Sequence, residues 1–502
     1  MIASVESKML GADNFTSSRT LPMSISLRNI GGNALSILTS DVMNRATSFV
    51  LYAMVARHLG TFEFGQLSLA FSLFYVFQVS AVTGLKILIV RDVAKDQSRT
   101  RLYFKNGCVI VAASSFASVV LLSLFIRLMQ YSPATNLIVL LLSVGLFPYA
   151  IAAVCEGIFQ ACERMRYIAC VNVPANIAKI GGAYLLLSRN HGLYTVILIL
   201  LASFFAVAGI EVYLILRRFP AQRASISIPF CLATVRSAIT FLAIDKLVAL
   251  ESSLNVILLS KLASESEVGL YSAASQLLVP LALVYQSIAQ SIFPVMCRKV
   301  EPGYQVLKHI AQQATELLLV LALPVVTGIY FLGNWALILL YKKPAFLAAV
   351  PALRVMAWIL IFQVFTSVLG QVLLACHREK VTLRIVIVVL LVTLGVGWPL
   401  ISHFGLRGAA ITLVLTRLIA SIQHYIPVSI LFSGFPLGKI AWKPVIAASC
   451  MASYFAVATN LEAVLRGVSA TLIYGAALFA LATLAPGGPR QFKNKYLFLG
   501  SE

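Results

Sequence analysis

Two stretches of this chain are versions of each other. Ala56-Arg57-His58-Leu59-Gly60-Thr61-Phe62-Glu63-Phe64-Gly65-Gln66-Leu67-Ser68 is followed, 204 residues later, by Ser260-Lys261-Leu262-Ala263-Ser264-Glu265-Ser266-Glu267-Val268-Gly269-Leu270-Tyr271-Ser272. Arg57 falls on Lys261, Glu63 on Glu267 and Gly65 on Gly269, and each block lies between two long apolar segments. A second echo, Ala161-Cys162-Glu163-Arg164-Met165-Arg166 against Ala375-Cys376-His377-Arg378-Glu379-Lys380, is offset by 214. A duplicated chain must fold twice into the same unit, and two membrane units built alike leave room for a substrate path between them.

Composition decides that the units are membrane units. With 60% hydrophobic and 11% charged residues, the 502-residue chain has less than half the charge of an ordinary soluble globule. Its apolar runs approach or exceed the ~20 residues a helix needs to cross the hydrocarbon core, without the alternation of strands. The pattern predicts an all-α polytopic membrane protein with fourteen spans, at about 31–56, 66–90, 106–126, 135–157, 168–188, 193–216, 235–260, 270–296, 309–332, 346–375, 381–402, 408–432, 442–460 and 464–485. Asp41 and Arg45 interrupt the first, but its copy at 235–260 is longer and clearer.

An even number of spans per repeat makes the repeats parallel, related by an axis along the membrane normal. The expected organisation is a cytoplasmic tail at 1–30, an N-lobe at 31–216, a linker at 217–234 and a C-lobe at 235–432. Two extra helices at 442–485 and a cytoplasmic tail at 486–502 complete the chain. Pro148, Pro280 and Pro324 fall inside spans, where each removes a backbone donor and permits a kink.

The net charge of +21 is explained by orientation rather than by a nucleic-acid partner. With residues in the first turn of a span counted in the adjoining connection, 25 of the 39 Lys and Arg fall in the termini and alternate connections on one side, 8 on the other and 6 inside spans. The positive-inside rule then puts both termini in the cytoplasm. Residues 1–28 are polar, with no apolar core of a cleavable signal, so the first span itself is expected to direct insertion into an inner membrane. The eight cysteines lie mostly at cytoplasmic helix ends and match neither a disulfide framework nor a zinc pattern.

The six intramembrane cations are Arg45, Lys86, Lys179, Lys246, Arg354 and Arg417. Charges at that depth normally face a bundle interior or an aqueous cavity. The first span carries Asn33, Ser36, Ser40, Asp41, Asn44, Arg45 and Ser48 on one helical stripe, which must face protein or water. Asp41 and Arg45 stand four apart and can pair, but Asn44 and Ser48 widen the stripe beyond one ion pair. Lys179 shares a face with Asn172 and Asn176 and has no acid in its own helix. Lys86, five residues from Arg91, can also snorkel to the surface. Glu211 and Glu316 fall near span ends.

Counted without Lys86, five deep cations stand against Asp41, Asp245 and Glu251, which leaves a surplus of two positive charges. The expectation is a cationic central cavity for an anionic cargo, with Arg and Lys suited to phosphate and the three acids as candidates for proton or Na⁺ coupling. No P-loop, GxSxG or HExxH occurs and the six histidines are dispersed, so no catalytic residue, metal ligand or cofactor is assigned. No external connection exceeds roughly a dozen residues, too little to hold a polymerase or glycosyltransferase site.

Residues 56–65, then Gly84 and Arg91-Asp92-Val93-Ala94-Lys95, carry a resemblance. Leu258-Leu259-Ser260 through Glu267-Val268-Gly269-Leu270-Tyr271-Ser272-Ala273-Ala274, Phe293-Pro294, and Phe404-Gly405-Leu406-Arg407-Gly408-Ala409-Ala410 extend it over twelve spans. Together they make the chain similar to the polysaccharide transporter, or O-antigen flippase-like, family. The resemblance implies the fold of multidrug extruders and the lipid II flippase, two lobes around a cavity. It implies as cargo a polyprenyl-pyrophosphate-linked oligosaccharide, moved from the cytoplasmic to the periplasmic leaflet for surface or exopolysaccharide synthesis, with membrane lipids and polymerase or assembly proteins as partners. Arg45 stands where such proteins often have a first-helix arginine. A small-molecule extruder of the same fold is the alternative, and it would favour an acidic cavity for cationic drugs.

Overall fold

A computed structural model describes residues 27–219, 225–298, 300 and 304–483, with the side chain of Asp41 and most side chains before it outside the described residues. The predicted tails, apart from residues 27–30, and the middle of the predicted linker also lie outside them. The first half consists of α1 (Leu27–His58), α2 (Thr61–Val82), α3 (Leu85–Lys95), α4 (Thr100–Met129), α5 (Pro133–Ser143), α6 (Leu146–Ala161), α7 (Arg166–Ser188) and α8 (Leu193–Arg218). The second has α9 (Ile228–Leu262), α10 (Glu265–Arg298), α11 (Tyr304–Tyr341), α12 (Val350–Met356), α13 (Ile359–Ala375) and α14 (Glu379–Leu431), followed by α15 (Leu437–Val457) and α16 (Ala463–Thr483).

Ten helical stretches are long and apolar enough to cross a membrane, and the pair Pro344–Met356 and Ile359–Ala375, bent by 43°, makes an eleventh. Three more spans follow from the backbone. Gly405 (φ 52°, ψ −125°) breaks α14 in two, and α1 and α9, 32 and 35 residues long, reach well beyond the bilayer core despite their charges. The described residues thus hold the fourteen spans of an all-α polytopic membrane protein. The rows of large apolar side chains left exposed, such as Phe116, Val120, Leu124 and Leu128 of α4, suit contact with lipid.

Each half packs mainly within itself: α2 on α4, α5 and α6, and α1 on α7, in the first; α13 on α10, α11 and α14, and α9 on α14, in the second. Helices α15 and α16 dock on α11 through a Phe331–Phe455 ring stack (5.0 Å) and the Tyr474 hydroxyl, which donates to the Val320 carbonyl (2.9 Å).

The halves meet along α9, which packs on α2, and at the duplicated blocks. At Gly65 a Cβ would stand 1.8 Å from the Glu265 carbonyl oxygen, and at Gly269 2.0 Å from that of Thr61, so α2 and α10 cross with no space for a side chain. Around the crossing, each repeat holds the other's helix end. Arg57 donates to the carbonyls of Leu340 and Leu339 (3.1 Å to the latter) at the end of α11, and Lys261 donates to that of Met129 (2.7 Å) at the end of α4. A cation there satisfies carbonyls that have no helical partner and meets the negative end of the helix dipole. Lys343 to the His58 carbonyl (2.8 Å), Thr135 to Glu265 Oε1 (2.9 Å) and Tyr131 with Ser260 (3.0 Å) complete the seal. Glu267 acts elsewhere, where its Oε2 accepts from the Leu406 amide (2.6 Å) and caps the helix that restarts after Gly405.

Candidate functional site

At the end away from this seal the halves enclose a cavity of about 760 Å³. It stops at Tyr52 on α1, five residues or ~7.5 Å of helix short of Arg57, and runs to Lys86 and Gln160. Its wall is almost entirely the first half's, with Ser252 and Ser253 of α9 as the other half's contribution. Ser40, Asn44 and Ser48 recur every four residues along α1, and Asn172, Asn176 and Lys179 line the facing side of α7, so the polar stripes read from the sequence are wall. Asn176 donates to Asn44 Oδ1 (2.5 Å), tying the two helices together.

Lys179 reaches the cavity with no hydrogen bond or ion pair to any described residue. Lys86 lies at the mouth and is paired with Glu156 Oε2 (2.5 Å; side chains 33% and 22% exposed), while Asn172 donates to Glu156 Oε1 (3.2 Å). Around them stand the amides Gln78 and Gln160 and the rings of Tyr52, Phe71, Phe74, Tyr75, Tyr149 and Phe204. Phe74 stacks on Phe204 (5.6 Å, 2°), and Tyr149 meets Phe204 edge-on (6.2 Å). Two cations against one carboxylate leave the lining with one surplus positive charge, on Lys179.

The other sequence-predicted residues lie elsewhere, so the six cations do not form one set. Lys246 donates to the Val76 carbonyl (2.8 Å) and Ser80 Oγ (2.6 Å) and sits over the Phe77 ring (5.0 Å), fastening α9 to α2. Arg417 is neutralised by Glu251 (3.1 Å; 28% and 15% exposed), which joins α14 to α9 and occupies one of the three coupling candidates. Arg354 bonds the Tyr330 carbonyl (3.0 Å) and covers that ring (5.1 Å), inside the second half. Arg45 is exposed and off the lining, because it is turned ~100° from Asn44 on the same helix. Asp245 is likewise exposed and off the lining, and Asp41 lies outside the described side chains.

One acid escaped the sequence reading. Glu156 lies one turn from Ala152 and Ala153 and one turn from Gln160, all lining residues, and that spacing was its available signal. Glu211, read as near a span end, lies two turns before the end of α8 and is 0% exposed. The count of five cations against Asp41, Asp245 and Glu251 included the partner of Arg417 but not Glu156, the partner of Lys86.

The arrangement can hold a solute with an anionic group for Lys179, hydroxyls for the amides and serines, and faces for the rings. The sequence matches the polysaccharide biosynthesis protein family over residues 30–299 and the MatE family over residues 246–398. No curated protein matches it. Among solved structures, lipid II flippase MurJ in an inward closed conformation superposes with a TM-score of 0.70 at 15% identity, over 89% of this chain and 99% of its own. A multidrug resistance MATE family transporter in its inward-facing conformation gives 0.61 at 16%, over 78% of this chain and 94% of its own. An outward-facing conformation gives 0.56 at 16%, over 81% and 95%. At these identities the likeness shows the fold.

Proposed function

Because the chain belongs to the polysaccharide biosynthesis protein family, we propose that it is a flippase for polyprenyl-pyrophosphate-linked oligosaccharide, working by alternating access from the cytoplasmic to the outer leaflet of a bacterial inner membrane. The observation that carries this reading is Lys179, a cation with no partner among the described residues, on a wall of amides, hydroxyls and aromatic rings beside the Lys86–Glu156 pair. Burying an unpaired ammonium inside a membrane protein is expensive, and a phosphate oxygen offers the missing partner. Amide groups and ring faces suit the sugar, while the lipid tail can remain in the bilayer. A cationic drug would meet a positive surplus, since Lys86 already neutralises Glu156.

Purified protein in vesicles is expected to move a short-chain polyprenyl-pyrophosphate oligosaccharide between leaflets, with inorganic pyrophosphate competing and cationic dyes left behind. Accumulation of the dyes without saccharide movement would favour the extruder reading, and saccharide synthesis would make the protein an enzyme.

The distribution of 25 and 8 basic residues supports cytoplasmic termini. Reporter fusions at residue 502 are expected to be active only for the cytoplasmic reporter. A periplasmic signal would overturn that orientation and place the Arg57–Lys261 seal on the cytoplasmic side.

A further inference from the structure

Glu211 stands apart from every other charged side chain among the described residues: it is 0% exposed and neither carboxylate oxygen has a hydrogen-bond partner. A bare carboxylate inside a span is among the costliest groups a membrane protein can carry, and an apolar side chain would serve packing better. The charged groups acting on it are Glu156 of α6 and Lys86 of α3. Helix α8 packs on α5, α6 and α7, and α6 in turn on α2, α3 and α4. Of these, α5 brings no titratable side chain, α6 brings Cys155 and Tyr149 near Glu156, α2 brings Tyr75, α4 brings Cys108, and α7 brings Lys179 to the cavity and Asn172 to Glu156.

The ammonium of Lys86 is paired with Glu156 at 2.5 Å and makes no hydrogen bond to Glu211. The second carboxyl lies in a closed space with no hydroxyl or amide directed at it. A metal cation needs several oxygen ligands at once, whereas a proton needs one.

We propose that Glu156 and Glu211 form a proton-binding site whose occupancy Lys86 sets. While Lys86 pairs with Glu156, the site holds one proton, on Glu211. When an anionic oxygen draws Lys86 away, the Glu156 carboxylate loses its counter-ion and takes a second proton from cavity water onto Oε2. Only O–H bonds form and break, and the proton gained offsets the charge that Lys86 removed. Under the flippase reading, on which this last step rests, entry of the pyrophosphate head loads a proton and its release returns one.

The test uses the full chain in lipid nanodiscs, without cargo, reading the infrared carbonyl stretch of neutral carboxylic acids against pH. Wild type is expected to keep a neutral-acid band at neutral pH that Glu211→Gln removes. Lys86→Met is expected to add a second band, present to higher pH than in wild type and absent from Lys86→Met/Glu156→Gln. Inorganic pyrophosphate is expected to mimic Lys86→Met in the wild-type protein. The double variant keeps the proposal falsifiable should Glu211→Gln fail to fold. A wild-type spectrum without the band, a band unchanged by Glu211→Gln, no second band in Lys86→Met, or displacement of the band by Na⁺ at fixed pH would each overturn the proposal. Absence of saccharide movement with the bands as described would sink the flippase reading and leave the proton site standing.

Discussion

Replacing Lys179 with alanine is expected to cut movement of a pyrophosphate-linked saccharide by at least about a hundredfold while leaving the folded protein as stable as wild type. A charge-assisted hydrogen bond to a phosphate oxygen in a partly dry cavity is worth up to ~3 kcal/mol, which corresponds to roughly two decades in binding. Stability should not follow, because Lys179 has no partner among the described residues to strand. Arg417→Ala supplies the contrast: it leaves Glu251 uncompensated and should cost about 3 kcal/mol of stability. Leaflet-to-leaflet transport, surface polysaccharide and thermal unfolding in detergent separate the two. Wild-type transport by Lys179→Ala would remove this residue from the cargo site, and a degraded or unfolded variant would return it to a packing role.

A single methyl group at Gly65 is expected to break the seal between the halves. Its Cβ would lie 1.8 Å from the Glu265 carbonyl oxygen, a backbone atom that cannot rotate away, so α2 and α10 must separate along their crossing. Overpacking of this kind costs about 3 kcal/mol even where neighbours adjust. Here it also pulls Arg57 and Lys261 from the helix ends they cap. Gly269→Ala should behave alike, with its Cβ 2.0 Å from the Thr61 carbonyl oxygen, whereas Gly181→Ala has open space and should be silent. The checks are thermal unfolding and labelling of a Ser72→Cys variant, on the cavity wall, by a membrane-impermeant maleimide added from the side of Arg57. Wild-type melting and labelling in Gly65→Ala would mean that the two helices do not cross so closely.

Much of the fold was legible because helical spans are set by local chemistry. An apolar run of sufficient length must hydrogen-bond its own backbone in lipid, and only a helix does so within one segment. The span read at 31–56 is α1, and that at 235–260 is α9, each extended by a turn or two into its polar flanks. The breaks were harder to see. The single span read at 346–375 is bent between α12 and α13, and the two at 381–402 and 408–432 share one long helix interrupted only at Gly405. In both places tertiary contact fixes the bend: Arg354 docks on Tyr330, and Glu267 caps the amide of Leu406.

The sequence by itself determined that this chain crosses the membrane many times, that it is built twice, and that the duplicated blocks around Arg57 and Lys261 matter to both copies. It also placed Asn172, Asn176 and Lys179 on one face, since a stripe depends only on 3.6 residues per turn. Tertiary structure decided which charge meets which. Lys246 finds its acceptors 170 and 166 residues away, and Glu156 takes Lys86 from 70. Those pairings depend on how helices rotate and slide against one another, which periodicity along one helix does not encode. The six intramembrane cations therefore read as one set in the sequence. Packing distributed them among two ion pairs, two backbone anchors, an exposed helix face and a cavity wall where one of them has no partner among the described residues.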